Sequence, residues 1–97
     1  MFARLHVLQT TPEQSDRGLE IVRDQLLPWL RDTSGYRGLI RLLDRENGKT
    51  LVISLWADEE ALKASNEAID RLAELTAETT GAKRVALEQY EATLFDL

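Results

Sequence analysis

One side chain of the 97-residue sequence is of a type that titrates near neutral pH. His6 is the only histidine and the natural candidate for a general base, because its unperturbed pKa lies near neutrality. The alternative is a structural or interface role for that imidazole. Ser54 lacks a neighbouring base in the sequence, so it fits a small polar filler better than a nucleophile. No complete catalytic constellation is visible.

An indole, an amide and two phenols are the remaining candidates. Trp56 either forms the wall of an aromatic pocket or seals the layer between a sheet and a helix. Asn66 either hydrogen-bonds a substrate or caps a helix that resumes after a break at Ser65. Two tyrosines offer hydroxyl donors or anchor the ends of strands. The predicted ligand pocket therefore comprises Trp56, Ser54, Asn66, Tyr36, Tyr90 and His6.

Composition excludes several kinds of site. The sequence has no cysteine, which rules out thiolate nucleophiles and thiolate metal sites, and one histidine without a positioned carboxylate predicts no metal site. The net charge of −5 and the scattered arginines disfavour nucleic-acid binding. No apolar run approaches the roughly 20 residues that span a bilayer, and the first eight residues do not resemble a signal peptide. We therefore expect no membrane partner and a cytoplasmic location.

The first half of the chain predicts a strand followed by a weakened helix. Residues 3–9 form the strand, and Thr11-Pro12-Glu13-Gln14 has the pattern of a capping box with proline at the first helical position. Pro28 predicts a kink, and the helix should end by Ser34-Gly35. Four residues at helical spacing form its predicted buried stripe: Leu19, Val22, Leu26 and Leu30.

The second half predicts a hairpin, a helix and a last strand. Residues 36–44 and 49–56 alternate as strands, and the Asn47-Gly48 pair between them is a strong hairpin signal. Asp58 should cap a second helix that runs to about Thr79, and residues 85–95 form the last strand. The order βαββαβ predicts an α+β, ferredoxin-like fold with a four-stranded antiparallel sheet in one domain, residues 1–97.

The third strand is apolar on both faces, which bears on assembly. Val52 and Trp56 share one face, and Leu51, Ile53 and Leu55 share the other. Two helices cover only one side of a four-stranded sheet, so we expect the face of Leu51, Ile53 and Leu55 to pack against a second copy in a twofold homodimer. Alternation along the first strand then predicts that His6 and Arg4 look into the dimer interface.

The strand-to-helix segment ISLWADEEAL at residues 53–62 resembles the corresponding signature of antibiotic biosynthesis monooxygenase (ABM) domains, which belong to the dimeric α+β barrel superfamily. Residues 35–38 and 85–91 are similar to the same family. The resemblance implies a dimeric α+β barrel with a pocket between sheet and helices that binds a flat, hydrophobic aromatic or polyketide-like molecule. It also implies a possible cofactor-independent monooxygenase, with no cofactor and with electrons supplied by the substrate.

Residue by residue, the resemblance carries little catalytic machinery to this chain. Haem-degrading members use an asparagine, a tryptophan and a histidine, of which only the tryptophan is matched, by Trp56; Ala3 and Asn66 occupy the other two places. The asparagine of the polycyclic-phenol oxygenases corresponds to Val52. A non-catalytic small-molecule-binding or structural dimer therefore stays open beside the monooxygenase, with an isomerase or lyase as a third possibility.

Overall fold

The computed structural model describes residues 1–96 and contains one antiparallel sheet with the strand order β2-β3-β1-β4. The helices pack against one face of the sheet, and the predicted α+β, ferredoxin-like fold is confirmed. No helix within residues 1–96 is long and apolar enough to cross a membrane. In chain order the elements are β1 (Phe2–Gln9), α1 (Pro12–Ile21), a π-helical segment (Val22–Leu26), α2 (Leu27–Arg31), β2 (Tyr36–Asp44), β3 (Lys49–Trp56), α3 (Glu59–Thr80) and β4 (Lys83–Glu91).

The start of α1 has the predicted capping box. The hydroxyl of Thr11 accepts from the backbone N–H of Gln14 at 3.2 Å, and the Gln14 side chain accepts from the Thr11 N–H at 2.9 Å. Thr11 thus lies outside the helix as its N-cap, and Pro12 occupies the first helical turn. These reciprocal bonds fix where the chain leaves β1 and turns over the sheet.

The predicted irregularity near Pro28 takes the form of a π-helix. The N–H of Leu27 bonds to the carbonyl of Val22, five residues back, and Pro28 follows without an N–H to donate. The predicted burial of Leu19 is wrong, because its side chain is exposed. Val22 and Leu30, from the same predicted stripe, are buried. Gly18 is turned inward instead, since a Cβ there would lie only 3.1 Å from the guanidinium of Arg41.

Helix α3 continues through the position where a break was expected. Asp58 caps it by accepting from the N–H of Ala61 at 2.8 Å, and Gly81 ends it with φ of 80°. Ser65 and Asn66 lie inside the helix and hydrogen-bond toward the sheet, so the prediction of a break, with Asn66 as a cap, is wrong. The last strand also ends earlier than expected, at Glu91.

Strand pairing decides which side chains face the helices. Directly paired residues of antiparallel strands share a face, and β1 pairs with β3 as Arg4↔Ser54 and His6↔Val52. His6 and Arg4 therefore lie on the helix side, and the expectation that they enter a dimer interface is wrong for both. Leu51, Ile53 and Leu55 lie on the opposite, outer face, together with Leu5 and Val7.

Candidate functional site

A cavity of about 70 Å³ lies between the sheet and the helices. Most of its lining residues have aliphatic side chains or none, and seven of the eighteen have polar side chains. The apolar walls include Leu8, Leu30, Leu39, Val52, Ile69 and Leu72, and the polar side chains include His6, Thr10, Ser54 and Arg41. An apolar chamber with a few polar groups is the usual character of a small-molecule site.

His6 projects from β1 into this cavity and is only 6% exposed. Its Nδ1 is buried and has no hydrogen-bond partner. Burial lowers the pKa of His6 to about 4, helped by the positive charges of Arg84 and Arg4 and opposed by Asp70. The imidazole is therefore neutral at pH 7, and its Nδ1 makes no hydrogen bond to any residue in the range 1–96.

Arg41 projects from β2 into the same cavity. Its Nη2 donates to the backbone carbonyl of Ser15 at 2.8 Å and to the Ser15 hydroxyl at 3.3 Å, while its Nε is buried without a partner. Burial lowers the pKa of Arg41, and the carboxylate of Asp16 opposes that shift. The guanidinium is held in place by α1 but keeps one donor unused.

The register places these two groups on either side of one residue. Val52 on β3 pairs with His6 on β1 and with Arg41 on β2, so all three share the helix-facing side of the sheet. Neighbouring strands lie about 4.8 Å apart, and the two polar side chains start two strands from each other. A ligand in the cavity thus has an imidazole on one side and a guanidinium on the other.

Trp56 does not line the cavity. Its side chain has no exposed surface and packs in the core with Leu30, Leu62 and Ile69. The indole Nε1–H donates to the hydroxyl of Ser54 at 3.0 Å, and the ring of Tyr36 meets it edge-on, with centroids 5.9 Å apart. Ser54 lines the cavity and accepts the indole N–H, which fits the filler role considered for that serine.

A buried arginine, Arg4, connects β1 to α3 beside Trp56. Its side chain donates to the carbonyl of Leu62 at 2.8 Å, to the Ser65 hydroxyl at 3.2 Å and to the side-chain oxygen of Asn66. The guanidinium also lies 5.9 Å from the centre of the Trp56 ring. Burial lowers the pKa of Arg4, with Asp70 opposing. Asn66 is thereby committed to Arg4 and, at 3.1 Å, to Gln89.

Of the six predicted pocket residues, the structure brings two to the cavity, His6 and Ser54. Tyr36 packs against the Trp56 ring, and Asn66 holds Arg4. Tyr90 pairs with Ala3, so it lies on the outer face of the sheet, is 54% exposed and cannot reach the cavity. Among residues 1–96 there is no cluster of three His, Cys, Asp or Glu side chains that could hold a metal ion.

The sequence analysis did not predict Arg41 as a site residue, nor the hydrogen bonds by which Arg4 holds α3. A signal for both was available, because each arginine has apolar neighbours in its strand and shares a face with a predicted helix-side residue of β3. A charged side chain at such a position must be satisfied locally, and this makes it a site candidate.

No family model matches the sequence. An uncharacterized protein of Mycobacterium tuberculosis is 33% identical over 91 residues, which cover 94% of this chain and 40% of that protein. A second uncharacterized protein of the same organism is 33% identical over 69 residues, covering 71% of this chain and 29% of the relative. The chain thus spans 40% or less of the curated relatives that it matches.

Solved structures confirm the fold expected from the ABM resemblance. A proposed antibiotic biosynthesis monooxygenase of Deinococcus radiodurans superposes with a TM-score of 0.75 at 13% identity, covering 100% of this chain and 97% of that one. A Streptomyces coelicolor monooxygenase, solved with the ligand nanaomycin D, gives 0.68 at 15% identity, covering 99% and 92%. SnoaB, a cofactor-independent oxygenase of Streptomyces nogalater, gives 0.71 at 11% identity, covering 97% and 94%.

Proposed function

We propose that this ABM-fold chain binds a small apolar molecule in the cavity between sheet and helices, with a polar group of the ligand placed between His6 and Arg41. The observation that carries the proposal is the pair of buried atoms without partners, His6 Nδ1 and Arg41 Nε. A buried polar atom without a hydrogen bond costs about 1–3 kcal/mol, so a ligand that forms that bond recovers part of the free energy. Both residues line the same cavity, so one ligand can serve both.

A hydroxyl or carbonyl oxygen on a flat, hydrophobic aromatic ligand suits these two groups. Arg41 Nε–H donates to such an oxygen, and a phenolic hydroxyl also donates to the neutral His6 Nδ1. The aliphatic walls favour the apolar remainder of the molecule. The nanaomycin D complex of the Streptomyces coelicolor monooxygenase supports a polyketide-like ligand as the chemical class.

The finer proposal is cofactor-independent monooxygenation. In such a reaction O₂ is the oxidant and the substrate is the reductant: a ring CH₂ group becomes C=O, and the second oxygen atom leaves as water with the two hydrogens. Arg41 would stabilise the phenolate or enolate form that gives up electrons to O₂. His6, neutral at pH 7 because its pKa lies near 4, would accept a hydrogen bond from the ligand, while the released proton passes to solvent and is made good in the water that leaves. The alternative is binding without chemistry.

The same proposal extends to the whole chain. Residues 1–97 form a single ABM-like domain that pairs through its outer sheet face as a homodimer and acts in the cytoplasm. The uncovered apolar side chains of that face support the homodimer.

Titration calorimetry with 2-naphthol, a flat phenol, tests the ligand site. We expect Arg41→Met and His6→Phe each to weaken binding about tenfold, the value of one lost hydrogen bond inside an apolar site. Arg37→Met is the matched control, because Arg37 lies on the same strand but is exposed. Affinity that is equal in all four proteins would refute the placement of the ligand.

Oxygen uptake by the protein mixed with anthrone, without added cofactor, separates the two functions. Anthrone carries the ring CH₂ group that the reaction consumes. Uptake that Arg41→Met abolishes and Arg37→Met preserves supports the monooxygenase, whereas binding of anthrone without uptake supports the non-catalytic alternative.

A further inference from the structure

A second hollow lies beside the cavity, on the outer side of the helices. It is a groove of about 340 Å³ between the first helical region and α3. Three side chains line both the groove and the cavity, namely Leu26, Leu72 and Thr76. They therefore form the partition between the two spaces, with one side toward the sheet and the other toward the groove.

Leu26, one of these three residues, lies in the π-helical segment. Leu26 is the last residue of the π-helical segment, two positions before Pro28. Pro28 has no N–H for the carbonyl of Asp24, so the helix lacks one hydrogen bond at this point. π-helical turns are rare and are frequently found at functional sites. Leu26 can thus shift at a lower cost in backbone hydrogen bonds than a residue in a continuous α-helix.

The volumes indicate why the partition would need to move. The cavity of about 70 Å³ is half the size of an engineered cavity of about 150 Å³ that binds benzene, so a single ring already presses on its walls. Sites for drug-sized ligands usually measure about 300–1,000 Å³. The groove, at about 340 Å³, supplies the missing space once the partition opens.

We infer that the cavity and the groove are two halves of one ligand site, joined when Leu26, Leu72 and Thr76 move apart. The polar head of the ligand lies at His6 and Arg41, and rings beyond the first pass between the first helical region and α3 into the groove. This inference rests on the function proposed above and adds to it the place of the ligand's further rings, in the groove between the first helical region and α3.

A pair of phenols that differ by one ring tests it. Thr79 lines the groove but not the cavity, and Glu78 next to it lines neither, and both are exposed. We expect Thr79→Phe to weaken 2-naphthol binding at least about fivefold, because the added ring fills the space of the second ring. In Thr79→Phe the affinity for phenol should stay within about twofold of the wild type. In Glu78→Phe the affinities for phenol and for 2-naphthol should both stay within about twofold, because substitutions on the surface usually have small effects.

Three outcomes overturn the inference or its premise. Equal loss of phenol and 2-naphthol affinity in Thr79→Phe, or no loss of either, shows that the second ring does not occupy the groove. A specific loss in Ala82→Phe instead shows that the second ring extends toward Ala82, which lines the cavity but not the groove. Failure of Arg41→Met and His6→Phe to affect either phenol removes the proposed function itself, whatever Thr79→Phe does.

Discussion

The imidazole of His6 owes its neutral state to its surroundings. It has no hydrogen bond at Nδ1, and it lies among the charges of Arg4, Arg84 and Asp70, of which the two arginines disfavour protonation. Asp70 would favour a protonated imidazole, but its carboxylate also accepts a hydrogen bond from Arg84 at 3.3 Å. Desolvation remains the main cause of the lowered pKa, and the unpaired Nδ1 follows from the same burial.

The lowered pKa of His6 predicts a loss of stability in mild acid. In the unfolded chain the imidazole binds a proton at its ordinary pKa of 6.5, while folded His6 does so only near 4. Stability from this group is therefore complete above pH 6.5 and falls as the pH decreases toward 4, by roughly 3 kcal/mol in total. Urea unfolding of the wild type and His6→Gln across this range measures it, because other groups cancel in the difference. Parallel pH profiles would contradict the assigned pKa.

Residue types identified His6 and Ser54 as candidates, but they could not identify the environment of Trp56. A tryptophan at the end of a strand suits both a pocket wall and a core position. The choice is made by partners distant in sequence, Leu30, Leu62 and Ile69, which enclose the indole. Only the three-dimensional packing of α2 and α3 distinguishes the two roles.

At the scale of the elements, the sequence predicts the β2–β3 hairpin at its observed bounds. Alternation and the Asn47-Gly48 turn are local signals, and Gly48 has the expected positive φ of 63°. The orientation of β1 is not local, because both of its faces carry apolar residues and only pairing with β3 selects the helix side. The continuity of α3 likewise depends on a tertiary contact. Arg4 hydrogen-bonds the side chains of Ser65 and Asn66, the two residues that suggested a break.

The turn from α2 into β2 depends on Gly35, and this gives a prediction for the packing of α3. Gly35 has φ of 82°, and a Cβ there would overlap the Cβ of Ala61. We expect Gly35→Ala to lower the free energy of unfolding by at least about 2 kcal/mol through backbone strain and steric overlap. Gly38→Ala is the matched control, because a Cβ at Gly38 meets Leu55 at an ordinary 3.6 Å. Denaturant unfolding of both variants measures the difference, and equal effects would contradict the close approach of the turn to α3.

At the scale of the whole molecule, the helices cover one side of the sheet, and much of the outer side is exposed, although Leu55 on that side is only 7% exposed. The helices pack over His6, Val52 and Arg41, while the outer face presents aliphatic side chains from β1, β2 and β3. Ile40 is 38% and Leu42 is 47% exposed there, beside Leu51 and Ile53. A contiguous apolar surface of this kind usually marks an interface, and covering it is worth roughly 1 kcal/mol for each half-exposed side chain.

The proposed homodimer predicts the effect of a charge at the centre of this face. Ile53 pairs with Leu5 on one side and Ile40 on the other, so Ile53→Asp would bury an unpaired carboxylate between two sheets. We expect the wild type to sediment as a dimer at micromolar concentration and Ile53→Asp to sediment as a monomer. Leu75→Asp, on a 57% exposed side chain of α3, should remain dimeric, because it lies on the helix side of the sheet. Far-ultraviolet circular dichroism verifies that each variant is folded. A wild type that sediments as a monomer, or a folded Ile53→Asp that stays dimeric, would assign the apolar outer face a different role.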